Sequence, residues 1–154
     1  MRDLIFLMIM VLFFTFSCNS KYPNDEKTNF SIEILNLYFG RVESITLLTN
    51  DSIKSEIGKT KGKEKKIARK LEDREKEKIG IFVKNFPLKG LKNQYVNENI
   101  EDGIQMKFII RIDDFQKTIY TSNEYQDDLG KLVKKVVSLL PEDYIGYNKD
   151  ALSR

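Results

Sequence analysis

The chain has 154 residues, a formal net charge of +3, one cysteine, no histidine and no tryptophan. An excess of 26 basic over 23 acidic side chains is too mild to argue for a nucleic-acid partner. Without histidine the commonest general base and metal ligand is missing, and one thiol cannot complete a zinc site or an internal disulfide. Ser-His and Cys-His nucleophile pairs, zinc centres and disulfide scaffolds are therefore excluded.

Arg2 precedes an apolar run from Leu4 to Phe14, followed by Thr15, Phe16, Ser17 and Cys18. The run is shorter than the roughly 20 apolar residues of a spanning helix and has the length of a secretory core. The segment resembles a bacterial lipoprotein signal peptide ending at its lipid-bearing cysteine. Ser17 fits that pattern, while Thr15 and Phe16 depart from it. The resemblance implies a signal peptide over 1–17, acylation of Cys18 and a polar tether over 18–29. It also implies an exported protein held on a membrane by lipid, the outer membrane being favoured by Asn19 if the cell has one. Cleavage after Ser20, giving a soluble secreted or periplasmic protein, and retention of the segment as an uncleaved anchor are the alternatives.

The remainder, 30–154, is one domain's worth of chain. Phe30 to Thr49 alternates as a hairpin, with Gly40 as the turn residue and Asn50-Asp51-Ser52 as a closing loop. Residues 59–78 are dominated by charge, beginning with Lys59, Lys61, Lys63, Lys65 and Lys66. Ile67, Ala68, Leu71, Ile79, Phe82, Val83 and Phe86 fall within half a helical wheel and predict one helix from Lys63 to Asn85, stopped by Pro87. Leu88 to Gly103 reads as a connector.

A second hairpin follows. Met106, Phe108, Ile110 and Ile112 alternate with Lys107, Ile109 and Arg111, Asp113-Asp114 turn the chain, and Lys117 to Thr121 return it. In the last helix Leu129, Leu132, Val133, Val136 and Leu140 form the apolar stripe. Asn123 is its expected cap, Gln126 the expected capping-box partner and Pro141 its stop. Tyr144, Ile145 and Tyr147 then suggest a short extended segment.

The order hairpin, helix, hairpin, helix predicts an α+β fold. Four antiparallel strands would carry two helices on one face, a ββαββα arrangement. From Asp102-Gly103 through Pro141 to Tyr147 the chain also resembles small bacterial lipoproteins that carry no assigned function.

Chemical motifs are sparse. Asp113-Asp114, Asp127-Asp128 and Glu142-Asp143 are carboxylate pairs, each with a local structural reason. Asn97 to Gly103 has a faint calcium-loop look, but Phe108 stands where a bidentate Glu is needed. No catalytic, metal or cofactor site is expected. Tyr95, Tyr144 and Tyr147, with Tyr120 and Tyr125, are candidates for a protein-binding face. The leading expectation is a non-catalytic, lipid-anchored interaction module, with an inhibitor, immunity or assembly role for a protein partner. The alternatives are a hydrolase using carboxylates alone, and a binder of anionic headgroups or envelope polymers through the lysines of 59–70.

Overall fold

The computed structural model describes residues 28–58, 65–100, 103–142, 145–147 and 149. The signal segment, Cys18, the tether up to Lys27 and Tyr144 lie outside the described residues. Thr28 and Asn29, counted with the tether on sequence grounds, are tied to the body. The Asn50 amide donates to the Thr28 carbonyl at 2.6 Å, and Asn29 N–H donates to Asp113 Oδ1 at 2.9 Å.

The first hairpin is present as β1 (Phe30–Tyr38) and β2 (Arg41–Thr49). Phe30, Ile32 and Ile34 alternate inward on β1, and Thr46 and Leu48 oppose them from β2. Gly40 turns the chain with φ +72°, as expected, and Phe39 beside it also has positive φ, +46°. Two positive φ values make a type I′ turn, whose twist matches the strands. A bulky residue in that conformation costs about 1–2 kcal/mol.

Thr49 to Ser52 closes the next turn, with the Thr49 hydroxyl accepting from Ser52 N–H at 3.2 Å. The chain then returns as a third strand, β3 (Ser52–Ile57), and a fourth, β4 (Lys65–Lys70). The expected helix from Lys63 to Asn85 is therefore corrected. Lys65 to Lys70 is an edge strand on β3, and helix α1 spans only Asp73–Lys84. The wheel pattern was compatible with a helix, but Lys65 to Lys70 pairs in register along the whole of β3 and places Ile67 and Arg69 on the core side, a long-range pairing that local periodicity does not register. Lysines also suit an edge that must not pair further. Glu72 begins α1, and its N–H donates to Glu75 Oε2 at 2.9 Å.

Pro87 ends the α1 region as expected, and a single 3₁₀ turn covers Leu88–Gly90. The connector then contributes β5 (Gln94–Val96), parallel to a later strand. The second hairpin stands as read: β6 (Gln105–Ile112), a turn with Asp113 at φ +51°, and β7 (Phe115–Ser122). Helix α2 spans Asp127–Val137. Its cap is Gln126, whose Oε1 accepts from Leu129 N–H at 2.7 Å, and not Asn123. Asn123 instead has φ +55°, and its amide donates to the Ile100 carbonyl. Ile145 and Tyr147 are buried but form no strand.

The class is α+β, as expected. The four-stranded antiparallel sheet is corrected to a seven-stranded mixed sheet, in the order β4-β3-β2-β1-β6-β7-β5. Among the described residues only the β5–β7 pairing is parallel. The buried apolar strand residues share one face. On it Ile32 lies between Leu48 and Ile110, and Ile34 between Thr46 and Phe108. Ile79 and Val83 of α1, with Leu129, Leu132, Val133 and Val136 of α2, belong to the same core. The other face carries Leu35, Ile45, Leu47 and Ile109, each half-buried by its cross-strand neighbours.

Arg69 holds the β4 edge to both helices. It points to the core side, opposite Ile53, and its guanidinium donates to both Glu75 oxygens at 2.8 and 2.7 Å. It donates again to the Leu139 carbonyl just beyond α2, at 2.8 Å. The Arg69 bond, helped by the Glu72 N–H, holds the Glu75 carboxyl at about 2, against an ordinary value of 4.5.

Two outcomes are expected from this architecture. Leu132→Ala should cost about 2–4 kcal/mol, because it opens a cavity in the core. Lys134→Ala should stay within about 0.5 kcal/mol; thermal melts of the two variants check the docking of α2. Glu75→Ala should cost about 1–2 kcal/mol at neutral pH, since a half-exposed ion pair and a cap are lost together. The Glu75 carboxyl is depressed, so its contribution is fully present above pH 4.5 and lost as pH falls toward 2. Acid titrations of stability should therefore converge for the wild type and Glu75→Ala across that window.

Candidate functional site

Helix α1 carries more apolar surface than the core can take. Ile79 and Val83 are buried. Phe82 and Phe86, one turn apart, lie along its flank with ring centroids 5.9 Å apart. Ile81 falls off both positions and is 57% exposed. The Asn85 amide donates to the Ile81 carbonyl at 2.8 Å and closes the last turn, after which Pro87 redirects the chain. Phe86 and Pro87 therefore form a knuckle at the end of the helix.

Open grooves flank this knuckle. One, of about 470 Å³, runs between α1 and α2 and is lined by Ile81, Phe82, Phe86, Lys78, Lys131 and Lys135. The other, of about 610 Å³, lies between the end of α1 and the β6–β7 turn. Val83, Phe86, Leu88, Ile112 and the partly exposed Phe115 give it an apolar wall. Lys89 sits over the Phe115 ring, 5.7 Å from its centroid, as a cation–π pair. The volumes fall in the range of small-ligand pockets, but both are open clefts.

The acidic groups along these grooves have local tasks. Asp113 Oδ1 accepts from Asn29 N–H and so ties the chain's entry to the β6–β7 turn. Asp128 bonds Lys131 at 2.8 Å, which holds its carboxyl below the ordinary range. Of the other carboxylate pairs, Glu142 bonds Lys65 at 2.9 Å, and Asp143 lies outside the described residues. Asp127-Asp128 occupies the first turn of α2. Among the described residues, Asp113 and Asp114 line one groove and Asp128 the other. Among the described residues no group of three or more His, Cys, Asp or Glu side chains is placed to hold an ion.

Of the tyrosines named from sequence, Tyr125 and Tyr147 come together, and Tyr95 lies against the core elsewhere. Tyr147 is 4% exposed; its ring meets Phe108 edge-on at 5.6 Å and stacks on Tyr125 at 5.2 Å. Its hydroxyl accepts from Gln126 N–H at 2.9 Å and donates to the Glu124 carbonyl at 3.3 Å. Burial pushes the phenol up to about 12, which keeps that proton in place. Tyr95 is half-buried against the core, with its hydroxyl accepting from Lys92 N–H at 2.9 Å. Tyr144 and Cys18 lie outside the described residues.

Of the lysine run, Lys65 pairs with Glu142 and Lys66 with Glu56, while residues 59–64 lie outside the described ones. The grooves were not foreseen from sequence. Their signal was Ile81, one large aliphatic side chain out of phase with its helix. No helix among the described residues is long and apolar enough to cross a membrane. No family model matches this chain, and no curated protein sequence matches it.

The Tyr125–Tyr147 stack depends on Gly130. A Cβ built at Gly130 would stand 1.7 Å from the Tyr125 hydroxyl, so any side chain there displaces the ring. Gly130→Ala should cost about 1–3 kcal/mol by overpacking, despite the better helix propensity of Ala. Near-ultraviolet circular dichroism should report the broken tyrosine stack.

Proposed function

We propose that this chain is a lipid-anchored envelope protein that acts without catalysis, as a binding module for a protein partner. One observation carries the reading: the cleft system around Phe86 and Pro87 offers apolar side chains, Ile81 and Phe115 exposed among them, within a rim of lysines. Exposed apolar side chains grouped in a rimmed concavity mark interaction sites on soluble surfaces. The excess of Lys78, Lys84, Lys89, Lys131 and Lys135 over Asp113, Asp114 and Asp128 favours an acidic segment as the occupant.

Two alternatives have less support. A carboxylate hydrolase needs two acids converging on one substrate position. In the groove Asp113 and Asp114 are adjacent turn residues, and one Asp113 oxygen is engaged by Asn29. A binder of headgroups through residues 59–70 would rely on lysines of which Lys65 and Lys66 already face carboxylates. The anchor itself rests on the lipoprotein-like segment ending at Cys18. An exported protein on the outer membrane, where there is one, is the form the reading takes; a soluble secreted form is its alternative.

Fatty-acid labelling should mark the protein, and Cys18→Ser should abolish the label and release the protein from membranes. Persistent membrane association without label would mean an uncleaved anchor instead. Affinity capture of the tethered protein from its own envelope should retain a partner. Ile81→Asp and Phe115→Asp should each reduce that retention at least tenfold, about 1.4 kcal/mol, with melting unchanged. Equal retention by both variants would rule out the grooves as the contact.

A further inference from the structure

The two grooves beside the Phe86–Pro87 knuckle differ in charge. The one toward the β6–β7 turn is balanced, with Lys84 and Lys89 against Asp113 and Asp114. The one between α1 and α2 is not. Lys78, Lys131 and Lys135 line it against Asp128 alone, and Asp128 is already held by Lys131 at 2.8 Å. Lys78 on α1 and Lys135 on α2 have no carboxylate within 4 Å among the described residues. The other charges of the two helices do not cancel this excess. Asp73, Glu75 and Lys76 are in ion pairs of their own. Arg74, Lys84 and Lys134 balance Glu77, Asp127 and, just before α2, Glu124. Two cations are therefore left on opposite walls of a trench whose apolar lining is Ile81, Phe82, Phe86 and Pro87.

The walls also set the form of an occupant. Both are helices, whose N–H and C=O groups bond along their own axes. The Asn85 amide is likewise engaged, on the Ile81 carbonyl. None of the residues lining the trench belongs to a strand. An extended segment lying there would press its backbone polar groups against walls that return no backbone hydrogen bond. A helix brings its backbone bonds with it and offers a ridge of side chains at i, i+3, i+4 and i+7. The lining runs from Lys78 to Phe86 on α1 and from Asp128 to Lys135 on α2, which is roughly 10–12 Å of wall, or about two helical turns.

We propose that the trench between α1 and α2 binds an acidic amphipathic helix of a second, different protein, its apolar ridge on Ile81, Phe82 and Phe86 and its carboxylates on Lys78 and Lys135. The inference rests on the binding-module reading above and deepens it: one of the two grooves is the contact, and the occupant has a form and a charge. The apolar ridge is the anchor, while the two ion pairs set register and speed encounter.

The test uses the full chain in the cells that make it. A photoreactive benzoylphenylalanine replaces Ile81 or, separately, Phe115, which puts one probe in each groove. Irradiation should join position 81 to a different protein chain. Sequencing of the joined peptide should show Asp or Glu beside apolar residues at helical spacing. Lys78→Glu with Lys135→Glu should lower that adduct at least tenfold, and Lys78→Arg with Lys135→Arg should keep it, with melting unchanged in both. Replacing the acids of the joined segment by lysine should restore the adduct to the charge-reversed chain. Only an intact fold can be rescued in this way, so the swap separates a lost contact from a lost fold. An adduct that survives charge reversal, or a joined segment without acids or without helical spacing, would overturn the proposal. So would an adduct with lipid, with a second copy or with another part of the same chain. An adduct from position 115 and none from 81 would strike this trench and leave the binding-module reading standing, whereas no protein adduct from either position would strike both.

Discussion

Everything in this fold depends on β1 being shared. It pairs with β2 on one side and β6 on the other, and the same inward side chains serve both pairings. Ile32 meets Leu48 and Ile110; Ile34 meets Thr46 and Phe108. A slip of one residue on either side would turn those side chains out of the core. The β2 and β3 partners lie close by in sequence, so the meander to β4 can zip from turn to turn. The β6 partner lies about 80 residues away, and its loop-closure cost is met only when the apolar face is covered. Because both helices bury their stripes in that one core, sheet closure and helix docking are the same event.

That dependence explains why some elements could be read from the chain and others could not. The two hairpins were legible because their inward positions are large and aliphatic and their turns hold Gly40 and Asp113-Asp114. The α2 stripe was legible for the same reason. Strand β3 was not, since one of its three inward positions is Ser55, which is fully buried only because its hydroxyl meets that of Thr46 at 2.8 Å. Strand β4 was not, because Ile67 and Arg69 carry a strand's alternation for too few residues to outweigh a helical wheel. At three residues, β5 exists only through β7. In each missed case the deciding partner lies on another strand, which local periodicity does not register. The candidate sites obey the same logic from the other side. Ile81 breaks the local pattern of its own helix, and the exposure that results is visible only once the core has been filled by others.

Charge in this molecule works mostly at short range. The lysine-rich region looks cationic as a string of letters, yet Lys65, Lys66, Arg69 and Lys76 each find a carboxylate within 4 Å. The partners come from β3, α1, the β2–β3 turn and the segment after α2. A domain with one small core, no disulfide and a long edge strand gains from such ties less in energy than in positional definition, since most of these pairs are half-exposed. Arg69 is the exception in kind. Its planar fork satisfies a carboxylate and a carbonyl at once, a geometry that lysine cannot reproduce.

The margins of the sheet are also chemically distinctive. One ends in Lys65, Lys66, Arg69 and Lys70, and the other in the three residues of β5. An open strand margin is the usual nucleus for chain-to-chain accretion. Along the first margin Lys65, Lys66 and Arg69 are held by carboxylates that a pairing strand would have to displace, and the second is too short to template a copy. In the membrane-held form proposed above, where neighbours would collide far more often than in bulk solvent, margins of this kind would limit lateral accretion. A sheet of seven strands would then remain compatible with a crowded surface.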